Sequence, residues 1–238
     1  MTRTTNARVA GLTFLLYIAL GITAMIVSAQ ATSGQGVAAK LAGIAQHASH
    51  VHLAAVLNLF TGFVALVVGV ALWAITRDED SDLAMLALAC RIVEGVVGGI
   101  AIQRSLGLLW LSTASGANAP GPEEANAIGA FLLWGQGWSP TIGATFFAVG
   151  SLLFSWLLLR GRMIPATLAW IGVLASILLV VGLPLQIGGV LSGSITQLMW
   201  LPMAAFEIPL ALWLLVKGVA GPLPGGSGAP VFAKGDAV

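Results

Sequence analysis

The stretch HLAAVLNLFTGFVALVVGVALWAIT, residues 52–76, decides the fold class of this chain. It contains no Asp, Glu, Lys or Arg, and it exceeds the about 20 apolar residues that carry a helix across the roughly 30 Å core of a bilayer. Stretches of similar character recur, and together they cover residues 9–29, 52–76, 83–112, 139–159, 165–187 and 196–216. The sequence therefore predicts an all-α fold, a polytopic transmembrane helix bundle with six spans.

The composition excludes classes of protein that need many charged residues. Of the 238 residues, 58% are hydrophobic and 8% are charged, whereas about 25% of a soluble domain is charged. A soluble globular domain and a disordered chain are both excluded, because each needs a more polar composition. The net charge of +1 gives no basic field for nucleic acid, so the expected partner is the lipid bilayer.

Common catalytic and cofactor motifs are missing from the sequence. It contains no H-E-x-x-H, G-x-S-x-G, P-loop or G-x-G-x-x-G pattern. The loops between the spans are too short for a soluble catalytic domain, and the single cysteine, Cys90, excludes an intramolecular disulfide. We therefore expect no enzymatic activity, no cofactor and no metal.

The basic residues between the spans predict the orientation of the bundle. If the N-terminus lies inside the cell, the cytoplasmic segments hold seven Lys or Arg residues and the outer segments hold only Lys40. An excess of Lys and Arg is typical of the cytoplasmic side, so both termini are predicted to be cytoplasmic. The seven residues are Arg3, Arg8, Arg77, Arg160, Arg162, Lys217 and Lys234.

Three tryptophans near the ends of spans support this orientation. Each precedes a cation by four residues, a spacing that places both side chains on one helix face. The indole can then lie at the headgroup level while the cation reaches water, so we interpret these residues as membrane anchors. The pairs are Trp73 with Arg77, Trp156 with Arg160, and Trp213 with Lys217.

The segments outside the spans carry weaker signals. Apolar residues at helical spacing within 37–48 predict a short surface helix, and Pro122 followed by two Glu predicts the first turn of an interfacial or re-entrant helix. The first span has an alternative interpretation as a signal peptide, although its apolar run exceeds a usual h-region. Residues 1–220 are predicted to form one domain, and residues 221–238 a flexible cytoplasmic tail.

Three histidines, His47, His50 and His52, precede the second span. His47 and His50 could share a helix face, but no Cys or carboxylate lies near them in sequence. Structural zinc takes four ligands and catalytic zinc usually three, so interfacial histidines are the favoured interpretation over a metal site.

The charged residues inside the spans are Arg91, Glu94, Arg104 and Glu207. Intramembrane charges are costly and usually face the bundle interior, pair with each other or line a water path. At 1.5 Å per residue, Glu94 lies ~16 Å along span three and Glu207 ~15 Å from the inner end of span six. This matched depth predicts an Arg91–Glu94–Glu207 cluster near the midplane. Arg104 either adds its positive charge to this cluster or extends to the outer membrane surface.

Two prolines, Pro202 and Pro209, bracket Glu207 in the sixth span. Each removes a helix hydrogen bond and frees a carbonyl four residues earlier, and a kinked helix with a carboxylate is typical of cation or proton sites. The same charges can instead clamp two helices, helped by close approach at the Gly95–Gly99 pair. Both interpretations, a transport site and a structural clamp, stay open on the sequence.

Several short motifs together resemble an uncharacterised family of bacterial multi-pass membrane proteins known only as a domain of unknown function. The resemblance implies six helices in the bacterial plasma (inner) membrane, supplies no activity, and places polar motif residues at Arg91, Glu94 and Glu207. The histidines and the Gly-rich tail are outside it. The motifs are Asn6-Ala7-Arg8-Val9-Ala10-Gly11, Cys90-Arg91-Ile92-Val93-Glu94, Ile164-Pro165, and the closing run from Glu207 to Gly218.

The sequence leads to two functional hypotheses. The first is a small-solute or proton-linked transport protein that uses Glu94 and Glu207, with Arg91 tuning them. The second is a structural or regulatory membrane module in which the same residues only hold helices together.

Overall fold

The computed structural model describes residues 2–117, 119–135 and 138–220. Within these ranges the regular secondary structure is helical, which confirms the all-α prediction. The predicted tail, residues 221–238, lies outside the described residues. The helices are α1 Arg3–Ala31, α2 Val37–Gln46, α3 Ala48–Thr76, α4 Ser81–Thr113, α5 Pro122–Gly135, α6 Trp138–Arg160, α7 Ala166–Ile187, α8 Ile195–Leu198 and α9 Leu201–Val216.

Six helical segments are long and apolar enough to cross a membrane, which confirms the predicted polytopic bundle. Large apolar side chains cover the outside of these segments, as contact with lipid requires; Met25, Phe63 and Val96 are more than half exposed. The segments are Arg3–Ala31, Ala48–Thr76, Ser81–Thr113, Pro122–Arg160, Ala166–Ile187 and Ile195–Val216, and the fourth includes both α5 and α6.

The six spanning helices form a closed ring, in the order α1, α3, α4, α6, α7, α9 and back to α1. The basic end of the ring is the end where α1, α4 and α7 begin and α3, α6 and α9 finish. There the Arg3 guanidinium donates a hydrogen bond to the Ile75 carbonyl at 3.1 Å, and Arg160 lies 3.5 Å from the Asp80 carboxylate. The opposite end of the ring carries α2 and α5.

The two short helices predicted outside the spans are present at the opposite end. Leu41 and Ile44 of α2 are buried together with Leu108 of α4 in a second apolar cluster, against which α5 also packs. Acidic residues Glu123 and Glu124 occupy the first turn of α5, where they complement the helix dipole.

The last span, Ile195–Val216, has a short irregularity. Residues 199–200 separate α8 from α9 but keep right-handed helical backbone angles, and Pro202 lies in the first turn of α9. Proline is tolerated there because the first helical N–H groups have no partner inside the helix. Pro209 lies inside α9, as the sequence places it.

Candidate functional site

Arg91 and Glu94 lie side by side inside the ring, one helical turn apart on α4. The nearest charged atoms of the two side chains are 2.8 Å apart, and the Arg91 side chain is only 2% exposed. The Tyr17 hydroxyl of α1 donates a hydrogen bond of 2.7 Å to Oε1 of Glu94. Glu94 is therefore held from two directions, by a cation on its own helix and by a hydroxyl on another.

Aromatic rings and glycines surround the Arg91 guanidinium. Its central carbon lies 5.2 Å from the Tyr17 ring centroid and 5.0 Å from the Phe147 centroid, within the range of cation–π attraction. Gly69 of α3 and Gly150 of α6 pack against the aliphatic part of the side chain, where a larger residue would crowd it. These contacts fix the position of a charge that would otherwise be costly inside the ring.

Glu207 completes the group from the opposite side, on α9. The residue is 9% exposed, and its Oε1 has no hydrogen-bond partner among the described residues. Arg91 and Glu94 act on it electrostatically, and the Tyr17 hydroxyl is the other titratable group nearby. If both carboxylates are ionised, Arg91 neutralises only one of them, and the group has a net negative charge.

A central cavity of about 460 Å³ lies beside this group. Tyr17, Glu94 and Glu207 reach its wall, and these are the ionisable side chains among the described residues that line it. Arg91 lies behind the wall, on the side of the basic end. The remaining lining is mostly apolar, with Asn58, Thr61 and Ser139 as polar additions.

Glycines widen this central cavity. A side chain at Gly62, Gly98 or Gly99 would meet no atom within 4 Å, and all three residues line the cavity. A side chain added at Gly95 would lie 3.8 Å from the Gly62 carbonyl oxygen of α3, in ordinary van der Waals contact, whereas one added at Gly99 would meet no atom within 4 Å. Of the Gly95–Gly99 pair, Gly95 is therefore the residue that faces the neighbouring helix.

Two much smaller cavities lie on either side of the central one. One, of about 30 Å³, shares Asn58 and Ile102 with it and extends toward the opposite end. The other, of about 10 Å³, lies toward the basic end, is lined by Arg91 and Ser155, and shares no lining residue with the central cavity. The Ser155 hydroxyl is buried there without a hydrogen-bond partner among the described residues.

Arg104 lies apart from the Arg91–Glu94–Glu207 group. It follows Glu94 by ten residues on α4, which is ~15 Å along the helix axis. Its guanidinium donates hydrogen bonds to the Gly135 carbonyl at the end of α5 and to the Ser139 hydroxyl of α6, the latter at 3.0 Å. Arg104 therefore fixes the junction of α5 and α6 and does not balance the charge of Glu207.

The predicted anchors occupy the basic end of the ring. The guanidinium of Arg77 lies over the Trp73 ring at 4.9 Å, as expected for a pair on one helix face. Trp156 is 44% exposed, while Arg160 turns toward Asp80. Trp213 packs partly against the apolar core, and Lys217, which follows α9, is exposed.

The histidine cluster lies at the opposite end of the ring. The rings of His47 and His50 stack with their centroids 5.5 Å apart, and Nδ1 of His47 is 2.9 Å from the Gly43 carbonyl oxygen. Among the described residues, no group of three or more His, Cys, Asp or Glu has the arrangement of a metal site.

Sequence reasoning missed three aromatic residues at the site. Tyr17 binds Glu94, Phe147 lies beside Arg91, and the Trp200 ring is 6.1 Å from that of Phe147 at the break before α9. Tyr17 had a usable signal, because it is the single tyrosine of the chain and lies within an apolar span. The other two had none, because Phe and Trp are ordinary residues of a membrane helix.

A family model described as "Domain of unknown function (DUF4386)" matches residues 9–218. The chain belongs to this family. The match covers most or all of each of the six spans of the DUF4386 bundle and includes Arg91, Glu94 and Glu207, although the description supplies no activity. Comparisons with curated proteins and with solved structures returned no match.

Proposed function

We propose that this protein is a transport protein that moves a small solute, coupled to protons, through the ring of six helices. The observation that carries the proposal is Glu207, a buried carboxylate without a hydrogen-bond partner on the wall of the central cavity. Inside a membrane, an isolated ionised carboxylate is costly, and it must take up either a proton or a cation. A buried carboxylate that binds either a proton or a cation can exchange one for the other.

The irregularity at residues 199–200 of the last span supports transport. Helices interrupted within the membrane are characteristic of transporter sites, and Trp200, at this irregularity, lines the central cavity. A smaller cavity shares Asn58 and Ile102 with the central one and extends toward the opposite end of the ring.

The proposed location is the bacterial plasma membrane, with both termini in the cytoplasm. Arg3, Arg77, Arg160 and Lys217 gather at one end of the ring, and an excess of basic residues is typical of the cytoplasmic side. On this orientation α2 and α5 lie at the outer surface. No enzymatic activity forms part of the proposal.

The structural module is the second candidate, and the bond from Tyr17 to Glu94 favours it. This hydrogen bond joins α1 to α4, as a clamp requires. The Arg91–Glu94 pair, however, lies within a single helix, and Oε1 of Glu207 has no hydrogen bond to hold α9 to a neighbour. If the double variant Arg91→Ala/Glu94→Ala keeps the thermal stability of the wild type in detergent, the clamp is excluded.

Proton flux in reconstituted vesicles tests the transport proposal. The purified protein is incorporated into vesicles that contain a pH-sensitive dye, and a pH gradient is imposed with a potassium-valinomycin shunt. The wild type is expected to dissipate the gradient faster than protein-free vesicles, and Glu207→Gln is expected to lose this activity, because the amide cannot carry a proton. Glu123→Gln, an exposed carboxylate of α5, is the matched control. Equal flux through the wild type and Glu207→Gln would overturn the proposal.

A further inference from the structure

The central cavity opens sideways, between α3 and α4, onto the surface that faces lipid. These helices pack closely near the basic end, where a side chain at Gly69 would meet Arg91 and Leu88 at 3.1 Å. At Gly98 and Gly99, which lie nearer the opposite end and are exposed, an added side chain would meet no atom within 4 Å. Exposed side chains such as Phe63 and Val96 form the rim of the cavity, so its mouth is apolar.

The wall of the cavity has the chemistry of a site for an organic cation. Its lining combines the carboxylates of Glu94 and Glu207 with the rings of Tyr17, Phe147 and Trp200. Carboxylates attract a cation by charge, and aromatic faces attract it through the ring quadrupole. Neither Lys nor Arg is among the described lining residues, and the charge of Arg91, behind the wall, is paired with Glu94.

The two carboxylates are not equivalent toward such a ligand. Glu94 forms an ion pair with Arg91 at 2.8 Å and accepts a hydrogen bond from the Tyr17 hydroxyl at 2.7 Å. Glu207 has an unpartnered oxygen and is more than nine-tenths buried. The charge of a ligand would therefore pair with Glu207, while Glu94 and Arg91 form a nearly neutral background.

We infer that the cavity binds a hydrophobic monovalent organic cation that enters from the bilayer between α3 and α4, and whose charge pairs with Glu207. Binding replaces one proton on the Glu207 carboxyl, which is released to water, so the net charge of the site is the same before and after. The volume of about 460 Å³ lies within the roughly 300–1,000 Å³ range of small-molecule sites. This inference rests on the proposed function and supplies its class of solute.

Binding of tetraphenylphosphonium to the protein in nanodiscs of zwitterionic lipid tests the inference. Tetraphenylborate, an anion of nearly the same size and shape, is the ligand control, and empty nanodiscs correct for partition into lipid. Saturable binding of the phosphonium is expected, with about one proton released per cation in weak buffer and no saturable binding of the borate.

Two pairs of variants locate the bound cation. Glu207→Gln is expected to weaken binding at least about tenfold and to abolish proton release, whereas Glu123→Gln is expected to bind like the wild type. Gly62→Leu fills the cavity and should also weaken binding. Gly21→Leu is its matched control, since Gly21 is another helical glycine with no atom within 4 Å and lies outside the cavity lining.

The experimental outcomes distinguish a failure of this inference from a failure of the proposed function. Failure of the phosphonium to bind saturably, equal binding of the borate, or unchanged binding by Glu207→Gln would each overturn the inference. If proton flux still depended on Glu207, the transport proposal would stand with another solute. Conversely, cation binding that depends on Glu207 without any proton flux, even when the cation is present, would support the site and contradict transport.

Discussion

At the residue scale, the site consists of a satisfied carboxylate beside an unsatisfied one. Glu94 contacts Arg91 and Tyr17, whereas Glu207 offers a free oxygen to the central cavity. The matched depth of the two carboxylates was predictable from helix rise alone, because spans three and six both have charged residues at known distances from their ends. Their unequal environments were not predictable, because these depend on Tyr17, which lies on a third helix.

Removal of the Arg91 charge is expected to destabilise the bundle strongly. Arg91→Met leaves the Glu94 carboxylate without its buried cation, at a cost of about 3–5 kcal/mol in the free energy of unfolding. The double variant Arg91→Met/Glu94→Gln should recover much of this loss, because it leaves no unpaired charge at the pair. Thermal unfolding in detergent measures both effects, and equal stability of the single variant and the wild type would contradict the pairing.

Loss of the Tyr17 hydroxyl is expected to have a smaller effect. Tyr17→Phe keeps the ring beside Arg91 and removes one hydrogen bond to a carboxylate, worth about 1.5–3 kcal/mol. Thr23→Ala is a control on the same helix, because its hydroxyl bonds only to the Ala19 carbonyl of its own helix. The melting temperature should be lower for Tyr17→Phe than for Thr23→Ala. Equal melting temperatures would show that the hydrogen bond does not stabilise the protein.

At the element scale, the motifs that carry the family resemblance contact one another. A side chain at Gly11 of α1 would lie 2.5 Å from the Ala211 carbonyl oxygen and the Leu215 nitrogen of α9. The beginning and the end of the bundle therefore meet at a glycine, which closes the ring. Sequence patterns could predict both helices but not this contact, since they do not show which helix faces which.

A larger residue at Gly11 is therefore expected to disrupt the contact between α1 and α9. Gly11→Val would drive a side chain into the backbone of α9, and overpacking of this kind costs about 1–3 kcal/mol or more. Gly21→Val, in the same helix but facing open space, is the matched control. The melting temperature in detergent should fall for Gly11→Val and not for Gly21→Val, and an equal result for both would refute the close packing.

The irregularity between α8 and α9 shows the limit of the hydropathy pattern. Residues 196–216 are apolar almost throughout, so their composition predicts a span but not its internal geometry. The regular helix is interrupted at residues 199–200, and Pro202 lies in the first turn of α9. Proline fits either a kink within a helix or the start of one, and only the surrounding packing decides between these positions.

At the scale of the whole molecule, the low content of charged residues indicates both the fold class and the position of the site. Six spans follow from apolar length alone, and a few charged residues remain inside them. Arg104 shows that such residues need not act together, because it holds the α5–α6 junction. Its role depends on a backbone carbonyl, which no sequence pattern identifies.

The orientation of the whole bundle can be tested by cysteine labelling. Cys90 is buried, at 7% exposed, and Cys90→Ala provides a cysteine-free background. A cysteine placed at Ser33, near α2, is expected to react with a membrane-impermeant maleimide in intact cells. One placed at Asp78, in the turn between α3 and α4, should react only after the membrane is opened. The reverse pattern would contradict cytoplasmic termini.

The central claim is that Glu207 is an unpaired carboxyl group that meets small molecules in a cavity open to the bilayer. Dicyclohexylcarbodiimide, a hydrophobic reagent that modifies protonated carboxyl groups, tests this directly when the purified protein is treated and its modified residues are mapped by mass spectrometry. The account predicts rapid modification of Glu207, much slower modification of Glu94, and loss of proton flux in step with the modification of Glu207. Absence of modification at Glu207, or preferential modification of Glu94, would contradict the account.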